Sequence, residues 1–229
     1  FSSNNFGQKA YILLNQKQYE EALDFVNQGL QIDPKNTFCL NIRATALTKL
    51  KRKDAAQSTI ENLLHDNPEN AYSHANVGWS HLERNDTKTA LKHFKEALKL
   101  DPNSEFARNG MLTAMKAKNK IYNLYLRYSF WISNQSSKNQ WIFIIGIYLA
   151  YRFGIKLLSA SGLTILVVPF IILYLLFALG SWIMEPLSNM ILMFDKFGKY
   201  LLDKQNKLSG QLMFALLASA TLFFLTYFI

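Results

Sequence analysis

The second half of this sequence has very few acidic residues, and the whole chain has a single cysteine. Residues 121–229 contain 3 Asp or Glu against 8 Lys or Arg, whereas residues 1–120 contain 13 and 17. Cys39 has no second cysteine with which to form a disulfide inside the chain. The uneven distribution of charge argues against one uniform globule and predicts two units of different character.

The sequence also lacks the motifs that would indicate an enzyme. It contains no phosphate-binding loop, no nucleophile elbow and no pair of carboxylates inside an apolar run. His74 and His81 lie seven residues apart on one predicted helix, where we interpret them as buried neutral side chains, and His65 and His93 add no spacing typical of metal ligands. We therefore predict no catalytic residue, no metal and no cofactor.

The net charge of +9 raises the question of a nucleic-acid partner. No basic stripe or nucleic-acid recognition motif accompanies this charge, so we predict no nucleic-acid binding. In the second half the lysines and arginines flank apolar runs, where membrane lipid with anionic headgroups is the expected partner.

A six-residue phrase recurs at an interval of 34 residues. Its copies occupy residues 33–38, 67–72 and 101–106, with proline second and asparagine or serine fourth. Proline ends the helix before it, and the fourth residue can cap the next helix. The three predicted caps are Asn36, Asn70 and Ser104.

Small residues recur at the same interval, at positions where two helices must approach closely. They are Ala10, Ala44 and Gly78 in the first helices, and Ala22, Ala56 and Ala90 in the second helices. With the proline at the close of each unit, they make the sequence resemble the tetratricopeptide repeat family, as about three repeats within residues 1–119. The resemblance implies an all-α solenoid of helical hairpins with a concave groove. We interpret residues 120–140 as an amphipathic juxtamembrane helix or part of a divergent fourth hairpin.

The resemblance implies that the groove binds a protein or peptide partner on the inner face of the first helices. Asparagine amides on this face can pair with an extended backbone, and aromatic rings can hold side chains. The predicted binding residues are Tyr11, Phe38, Asn41, Tyr72, Asn76, Trp79, Phe106 and Asn109. The alternative is that the rings pack between repeats and the asparagines are solvated.

One narrower function of the family is disfavoured. Repeat domains that clamp the acidic C-terminus of chaperones use lysines or arginines together with asparagines. The matching positions here are Gly7, Tyr11, Ile42, Tyr72 and Asn76, which include no cation. We therefore do not expect a receptor for chaperone tails.

Residues 141–229 are predicted to form a transmembrane helical module. Residues 163–184 and 212–229 carry no charge, and as helices they would span about 33 Å and about 27 Å, enough to cross a bilayer. A first crossing is predicted at 141–158, where Lys156 and Arg152 interrupt the run, and the alternative is a helix lying on the membrane surface. After a break at Glu185 and Pro186, residues 187–204 are predicted to form an amphipathic loop helix.

Arg152 is the intramembrane charge for which we consider a function. It could meet an anionic substrate or a partner's carboxylate within the bilayer, and the alternative is an anchor that reaches to the headgroups. With three crossings, the basic residues beside the membrane lie on the side of the repeats, so the positive-inside rule places the repeats in the cytoplasm.

Segments 126–131 and 194–200 make the whole chain resemble bacterial membrane proteins with repeats ahead of a multi-pass module, which implies an inner-membrane location. Because Phe1 is not methionine and Ile229 lies within an apolar run, we expect further sequence at both ends. The predicted function is a membrane-anchored adaptor that recruits a partner and joins other membrane subunits. The alternative is an accessory subunit of a transport or secretion machine whose helices contribute to the substrate path.

Overall fold

The computed structural model of the chain describes residues 2–228, apart from the side chains of Ser181 and Phe228. Within this range the regular secondary structure is helical throughout and no strand occurs, so the predicted all-α fold class is confirmed. The chain divides into two compact units between Lys118 and Asn119. We call these unit 1 and unit 2.

Unit 1 is a series of antiparallel helical hairpins. Its described helices are α1 (Ser3–Asn15), α2 (Tyr19–Ile32), α3 (Thr37–Lys49), α4 (Lys53–Asp66), α5 (Ala71–Glu83), α6 (Thr87–Leu100) and α7 (Glu105–Lys116). The first helices of successive hairpins, α1, α3, α5 and α7, pack side by side. They form one continuous layer, which is the surface on which the sequence places the groove.

The repeated phrase starts helices in the way that the sequence predicts. Asn36, Asn70 and Ser104 each accept a hydrogen bond from the backbone N–H three residues later, at 3.0, 2.8 and 3.3 Å. Inside the hairpins the turns also repeat every 34 residues, because left-handed backbone with φ between 60° and 66° occurs at Lys17, Lys51 and Asn85. Each repeat is therefore begun and reversed by local chemistry at equivalent positions.

The predicted small residues are buried where helices meet. The five alanines of this set are at most 1% exposed, and Gly78 is also buried. Phe94 of α6 is fully buried and lies between Gly78 of α5 and Gly110 of α7. A Cβ atom on Gly110 would come within 2.1 Å of the Phe94 ring, so this ring requires glycine on α7.

Unit 2 consists of longer and more apolar helices. Its described helices are α8 (Lys120–Ser133), α9 (Ser137–Ala160), α10 (Val167–Ala178), α11 (Gly180–Met193), α12 (Gly198–Leu201) and α13 (Lys204–Phe228), with a 3-10 turn at Thr164–Leu166. The tightest pairing in this unit is α11 against α13. Residues 120–140, interpreted above as a juxtamembrane helix or part of a fourth hairpin, lie in unit 2 as α8 and the start of α9, whereas α7 lies in unit 1.

Two described helices are long and apolar enough to cross a membrane, α9 and α13 over Lys204–Tyr227. A third span would be counted if Thr164–Ala178 and Trp182–Met193 formed one crossing with a bend of 75°. This finding concerns length and composition only.

The helix boundaries in unit 2 differ from the predicted crossings. The run predicted at 163–184 is divided between α10 and α11, with the bend beside Leu179, and Pro186 lies inside α11 instead of ending a helix. The helix that continues through Pro186 packs on α13, and the carboxylate of Glu185 accepts a hydrogen bond from the Tyr122 hydroxyl. The loop helix predicted at 187–204 is therefore replaced by the end of α11, a turn and the short α12, and Ile229 of the last predicted crossing lies outside the described residues.

Candidate functional site

The first helices of unit 1 carry a row of partly exposed aromatic rings. Tyr11, Tyr72 and Phe106 are 46%, 51% and 40% exposed, and Phe38 is half-buried beside Tyr11 at a ring distance of 6.3 Å. The Tyr72 ring stacks on Phe106 at 5.7 Å. Burial raises the pKa of the Tyr72 hydroxyl, and the neighbouring Tyr11 raises it further. These rings form a surface that spans several repeats.

Trp79 of α5 extends this aromatic surface toward the core. Its ring lies 6.0 Å from Phe106 and meets the buried Phe94 edge-on at 5.5 Å. The indole N–H donates a hydrogen bond of 3.4 Å to the backbone carbonyl of Phe106. Trp79 is therefore held in place on both sides, and the structure brings together all five aromatic residues predicted from the sequence. We call Tyr11, Phe38, Tyr72, Trp79 and Phe106 the aromatic row.

Two of the predicted asparagines are buried instead of facing a groove. Asn41 is 2% exposed and Asn76 is 8% exposed. The Asn76 amide donates to the carbonyl and the side-chain oxygen of Asn41, at 3.0 and 3.1 Å, and accepts from Thr45. Asn41 in turn donates to Ser73 at 3.0 Å. The expectation that these amides pair with a bound peptide is corrected here, because their hydrogen-bonding capacity joins α3 to α5.

The third predicted asparagine has a different environment. Asn109 is exposed on α7, and its backbone carbonyl accepts a hydrogen bond from Thr113. Its side chain can therefore reach a ligand, unlike those of Asn41 and Asn76.

Two charged residues at equivalent positions of neighbouring repeats are paired with each other. Lys49 at the end of α3 forms an ion pair with Glu83 at the end of α5, and both side chains are mostly buried. Because Lys49 is paired with Glu83, its ammonium group is not free to bind a carboxylate of a peptide. The positions that would supply a cationic clamp hold Gly7, Tyr11 and Ile42 among others.

Three histidines meet between α5 and α6, which the sequence alone does not indicate. His74 and His93 face each other through their Nδ1 atoms at 3.1 Å, and His93 also stacks on His81 at a ring distance of 5.7 Å. Nε2 of His74 lies 2.9 Å from the carbonyl of Pro68, and His81 pairs with Asp86 at 3.1 Å. Within residues 2–228, no three His, Cys, Asp or Glu side chains are arranged to hold a metal ion.

Burial lowers the pKa of two members of this cluster, His93 and His81. It lowers the pKa of His93 to about 4, and the neighbouring His74 and His81 contribute in the same direction. The pKa of His81 is also lowered by burial, against the opposing effect of Asp86. Burial thus favours the neutral form of both imidazoles. Of the two histidines predicted to be buried, His81 is 8% exposed, whereas His74 is only half-buried.

Arg152 lies on α9, eight residues before the end of that helix at Ala160. Its side chain is exposed and donates a hydrogen bond of 3.4 Å to the Tyr148 hydroxyl one turn earlier. Arg152 is thus presented on the surface of a candidate membrane span, where lipid or a partner could contact it.

A polar cluster joins the tightest helix pair of unit 2. Asn189 of α11 is 1% exposed and donates hydrogen bonds of 2.9 Å to Asn206 and to Ser209 of α13. Gly210 allows the α13 backbone to come close to Asn189 and Met190. Sequence reasoning missed this cluster because its members lie in the segments that we assigned to a loop helix and to the region before the last crossing.

Models of the tetratricopeptide repeat family match residues 4–36 and 43–105. The Hsp70-Hsp90 organizing protein of Triticum aestivum is 27% identical over 100 residues, which are 44% of this chain and 17% of that protein. The RNA polymerase II-associated protein 3 of Xenopus tropicalis is 30% identical over 92 residues, or 40% of this chain and 14% of that protein. The similarity thus covers less than a fifth of each relative.

Two solved structures are similar to this chain, one over about half of its length and the other over most of it. The first tetratricopeptide repeat domain of Spaghetti (RPAP3), solved with the HSP90 peptide SRMEEVD, is 24% identical, with 51% of this chain and 92% of that chain covered and a TM-score of 0.45. PilW, a type IV pilus biogenesis factor, is 19% identical, with 96% and 87% covered and a TM-score of 0.47. With the repeated caps, turns and buried small residues of unit 1, the family matches establish that residues 4–36 and 43–105 of this chain are tetratricopeptide repeats.

Proposed function

We propose that the chain is a membrane-anchored adaptor whose aromatic row binds a peptide segment of a partner protein. The observation that carries this proposal is the display of five aromatic rings, Tyr11, Phe38, Tyr72, Trp79 and Phe106, along one layer of helices. Exposed aromatic side chains that share one face are uncommon on a surface that contacts only water. Tetratricopeptide repeats typically serve protein binding, so this row is the part of unit 1 best suited to a partner.

The rings favour a partner segment with apolar or aromatic side chains. Tyr and Trp provide large contact areas at low cost in side-chain entropy, and a ring held at both sides, as Trp79 is, loses little freedom on binding. Asn109 adds an accessible amide that can pair with the backbone of the segment. The contact would then depend on burial of apolar surface and on a few hydrogen bonds.

The same surface is poorly suited to an acidic chaperone tail. A carboxylate-rich peptide requires cations in the groove, and the matching positions include Gly7, Tyr11 and Ile42. Lys49 on α3 is paired with Glu83. Although one similar solved domain binds an HSP90 peptide, we expect this chain to prefer segments without a negative charge.

Unit 2 would anchor the repeats at a membrane. The apolar α9 and α13 are long enough to cross, and the surface of these helices is almost entirely exposed in the isolated chain. The Asn189 amide N–H groups donate to Asn206 and Ser209 between α11 and α13, and such hydrogen bonds hold helices together in lipid. A bacterial inner membrane is the proposed location, and the distribution of lysine and arginine favours the cytoplasmic side for the repeats. We do not propose an enzymatic activity.

The binding surface can be tested by substitution in the full chain purified in mild detergent. Phe106→Ala should remove most of the binding to a library of apolar and aromatic peptides, because truncation of a central aromatic commonly costs about 2 kcal/mol or about thirtyfold in affinity. Leu100→Ala is the matched control, since Leu100 is 43% exposed on α6, in the second helices, and it should leave binding unchanged. Equal binding by all three proteins would refute the role of the aromatic row.

The same material separates the adaptor from the transport alternative. Proteins that copurify with the chain should be lost with Phe106→Ala and retained with Arg152→Ala if the repeats recruit the partner. Loss with Arg152→Ala alone would support a function of the transmembrane helices. A chain that stays monomeric and dispersed in buffer without detergent would contradict membrane anchoring.

A further inference from the structure

The connection between α11 and α13 exposes three aromatic rings to an unusual degree. Phe194, Phe197 and Tyr200 are 73%, 69% and 78% exposed. Side chains of this size bury most of their surface when they serve the packing of their own chain. We call residues 194–207 the basic connector, because four lysines lie among and just after these rings.

All four lysines of the basic connector point into solvent. Lys196, Lys199, Lys204 and Lys207 are exposed, and the ammonium of Lys199 lies 5.0 Å above the ring of Tyr200. The surface of this connector thus alternates aromatic rings and positive charges.

The two acidic residues of the connector are directed at its own backbone. Asp195 accepts hydrogen bonds from the N–H groups of Phe197 and Gly198, at 2.9 and 2.8 Å. Asp203 accepts from the N–H of Asn206 at 2.7 Å and thereby caps α13. The carboxylates therefore fix the turn. Four lysines against two aspartates leave the connector with a net positive charge.

The shape of the connector is held from within. Leu192, just before the connector, and Leu202, within it, are each 3% exposed, and Gly198 packs against Leu192. A Cβ atom on Gly198 would come within 2.9 Å of Leu192, so the turn depends on this close approach. The rings and lysines are thus displayed by a defined turn, and their exposure is not that of a loose loop.

The position of the connector in the chain indicates what it meets. α13 is a candidate membrane span that begins at Lys204, within the connector, and apolar residues are exposed from Leu208 onward. The ring of Phe194 also lies 5.9 Å from Phe214 of α13. If α13 crosses the bilayer, as the proposed function requires, the connector lies at the depth of the lipid headgroups.

We propose that the basic connector is a docking site for anionic phospholipid headgroups. Aromatic rings of amphipathic character are stable at the membrane interface, and lysines beside them attract lipid phosphates. The proposal rests on the membrane anchoring of the proposed function and adds to it a preference for lipid of negative charge. It assigns the four lysines a binding role that is independent of the aromatic row in unit 1.

The test uses the full chain in lipid nanodiscs of phosphatidylcholine alone or with phosphatidylglycerol. Hydrogen exchange followed by mass spectrometry should show slower exchange at 194–203 with phosphatidylglycerol, and the difference should vanish in about 0.5 M salt because of screening. Lys196→Gln with Lys199→Gln should weaken the attraction about 25-fold, at about fivefold for each lysine, and should abolish the difference. The control is Lys88→Gln with Lys95→Gln, which removes the same charge from exposed sites in unit 1 and should change nothing.

The outcomes distinguish this proposal from the one on which it rests. A chain that fails to enter nanodiscs would overturn both the anchoring and the docking site. A chain that enters but exchanges at 194–203 at one rate in both lipids would overturn the docking site only. Slow exchange that persists in the Lys196→Gln, Lys199→Gln variant would also overturn it, since the contact would then not depend on the lysines.

Discussion

Replacement of Asn76 by alanine tests whether the buried asparagines hold the repeats together. The substitution removes two hydrogen bonds that the Asn76 amide donates to Asn41, at 3.0 and 3.1 Å, and one that it accepts from Thr45 at 3.1 Å. Each such bond contributes about 1 kcal/mol to the free energy of unfolding, so the loss should be about 3 kcal/mol. The side-chain oxygen of Asn41, which is 2% exposed, also loses the donor that satisfies it, which acts in the same direction.

The free energy of unfolding can be measured by urea titration of the full chain in mild detergent. A background with phenylalanine at Trp131, Trp141 and Trp182 leaves Trp79 as the only tryptophan, so its fluorescence reports on unit 1. With an m-value of about 2 kcal/mol/M, a loss of about 3 kcal/mol lowers the urea midpoint by about 1.5 M.

The matched control for this experiment is Asn109→Ala. Asn109 is an exposed asparagine on the same layer of helices, and its truncation should change the free energy of unfolding by no more than about 0.5 kcal/mol. If Asn76→Ala moved the urea midpoint as little as Asn109→Ala does, with an unchanged m-value, the argument that the Asn41 and Asn76 amides join α3 to α5 would be refuted.

Two further predictions concern the packing of Phe94 and the histidine cluster. Gly110→Ala should destabilise unit 1 by about 1 to 3 kcal/mol in the same urea assay, because its Cβ would come within 2.1 Å of the Phe94 ring. Gly146→Ala, at a site on α9 of unit 2 with no atom within 4 Å, should leave the Trp79 signal unchanged. The pKa of His93 is lowered to about 4 in the folded chain. The contribution of neutral His93 to the free energy of unfolding is therefore fully present above about pH 6.5. It should decrease as the pH falls from about 6.5 toward 4, because the unfolded chain then binds a proton that the folded chain excludes. The His93→Gln variant, which retains His81, should show a smaller decrease in the free energy of unfolding over this pH range. An identical pH profile for the two proteins would contradict the role assigned to His93.

Much of unit 1 could be predicted from the sequence because its signals are local and periodic. The caps at Asn36, Asn70 and Ser104 act on amides three residues away, so their spacing predicted the helix starts that the structure shows. The small residues at the helix contacts repeat with the same interval. An alanine or glycine at each of these positions predicts that two helices approach closely there. The aromatic row also followed from the repeat, since equivalent positions of a solenoid face the same side.

The fate of the asparagines depended on contacts between helices. Asn41, Asn76 and Asn109 all belong to first helices, and helical periodicity alone does not distinguish an amide that faces the groove from one between two helices. The packing of α3 on α5 buries the first two, whereas Asn109 remains exposed on α7. The same reason explains the histidine cluster, because His74 and His93 are 19 residues apart and meet only when the hairpin closes.

In unit 2 the sequence by itself determined the apolar character of the helices, since hydropathy is a sum over neighbouring residues. It did not determine where those helices bend. Pro186 predicted a break, yet α11 continues through it while the chain bends beside Leu179. The difference lies in tertiary contacts that the sequence does not display, since α11 packs along α13 and Glu185 accepts a hydrogen bond from the Tyr122 hydroxyl. A proline inside a helix costs about 3 kcal/mol, an amount that packing between distant segments can offset.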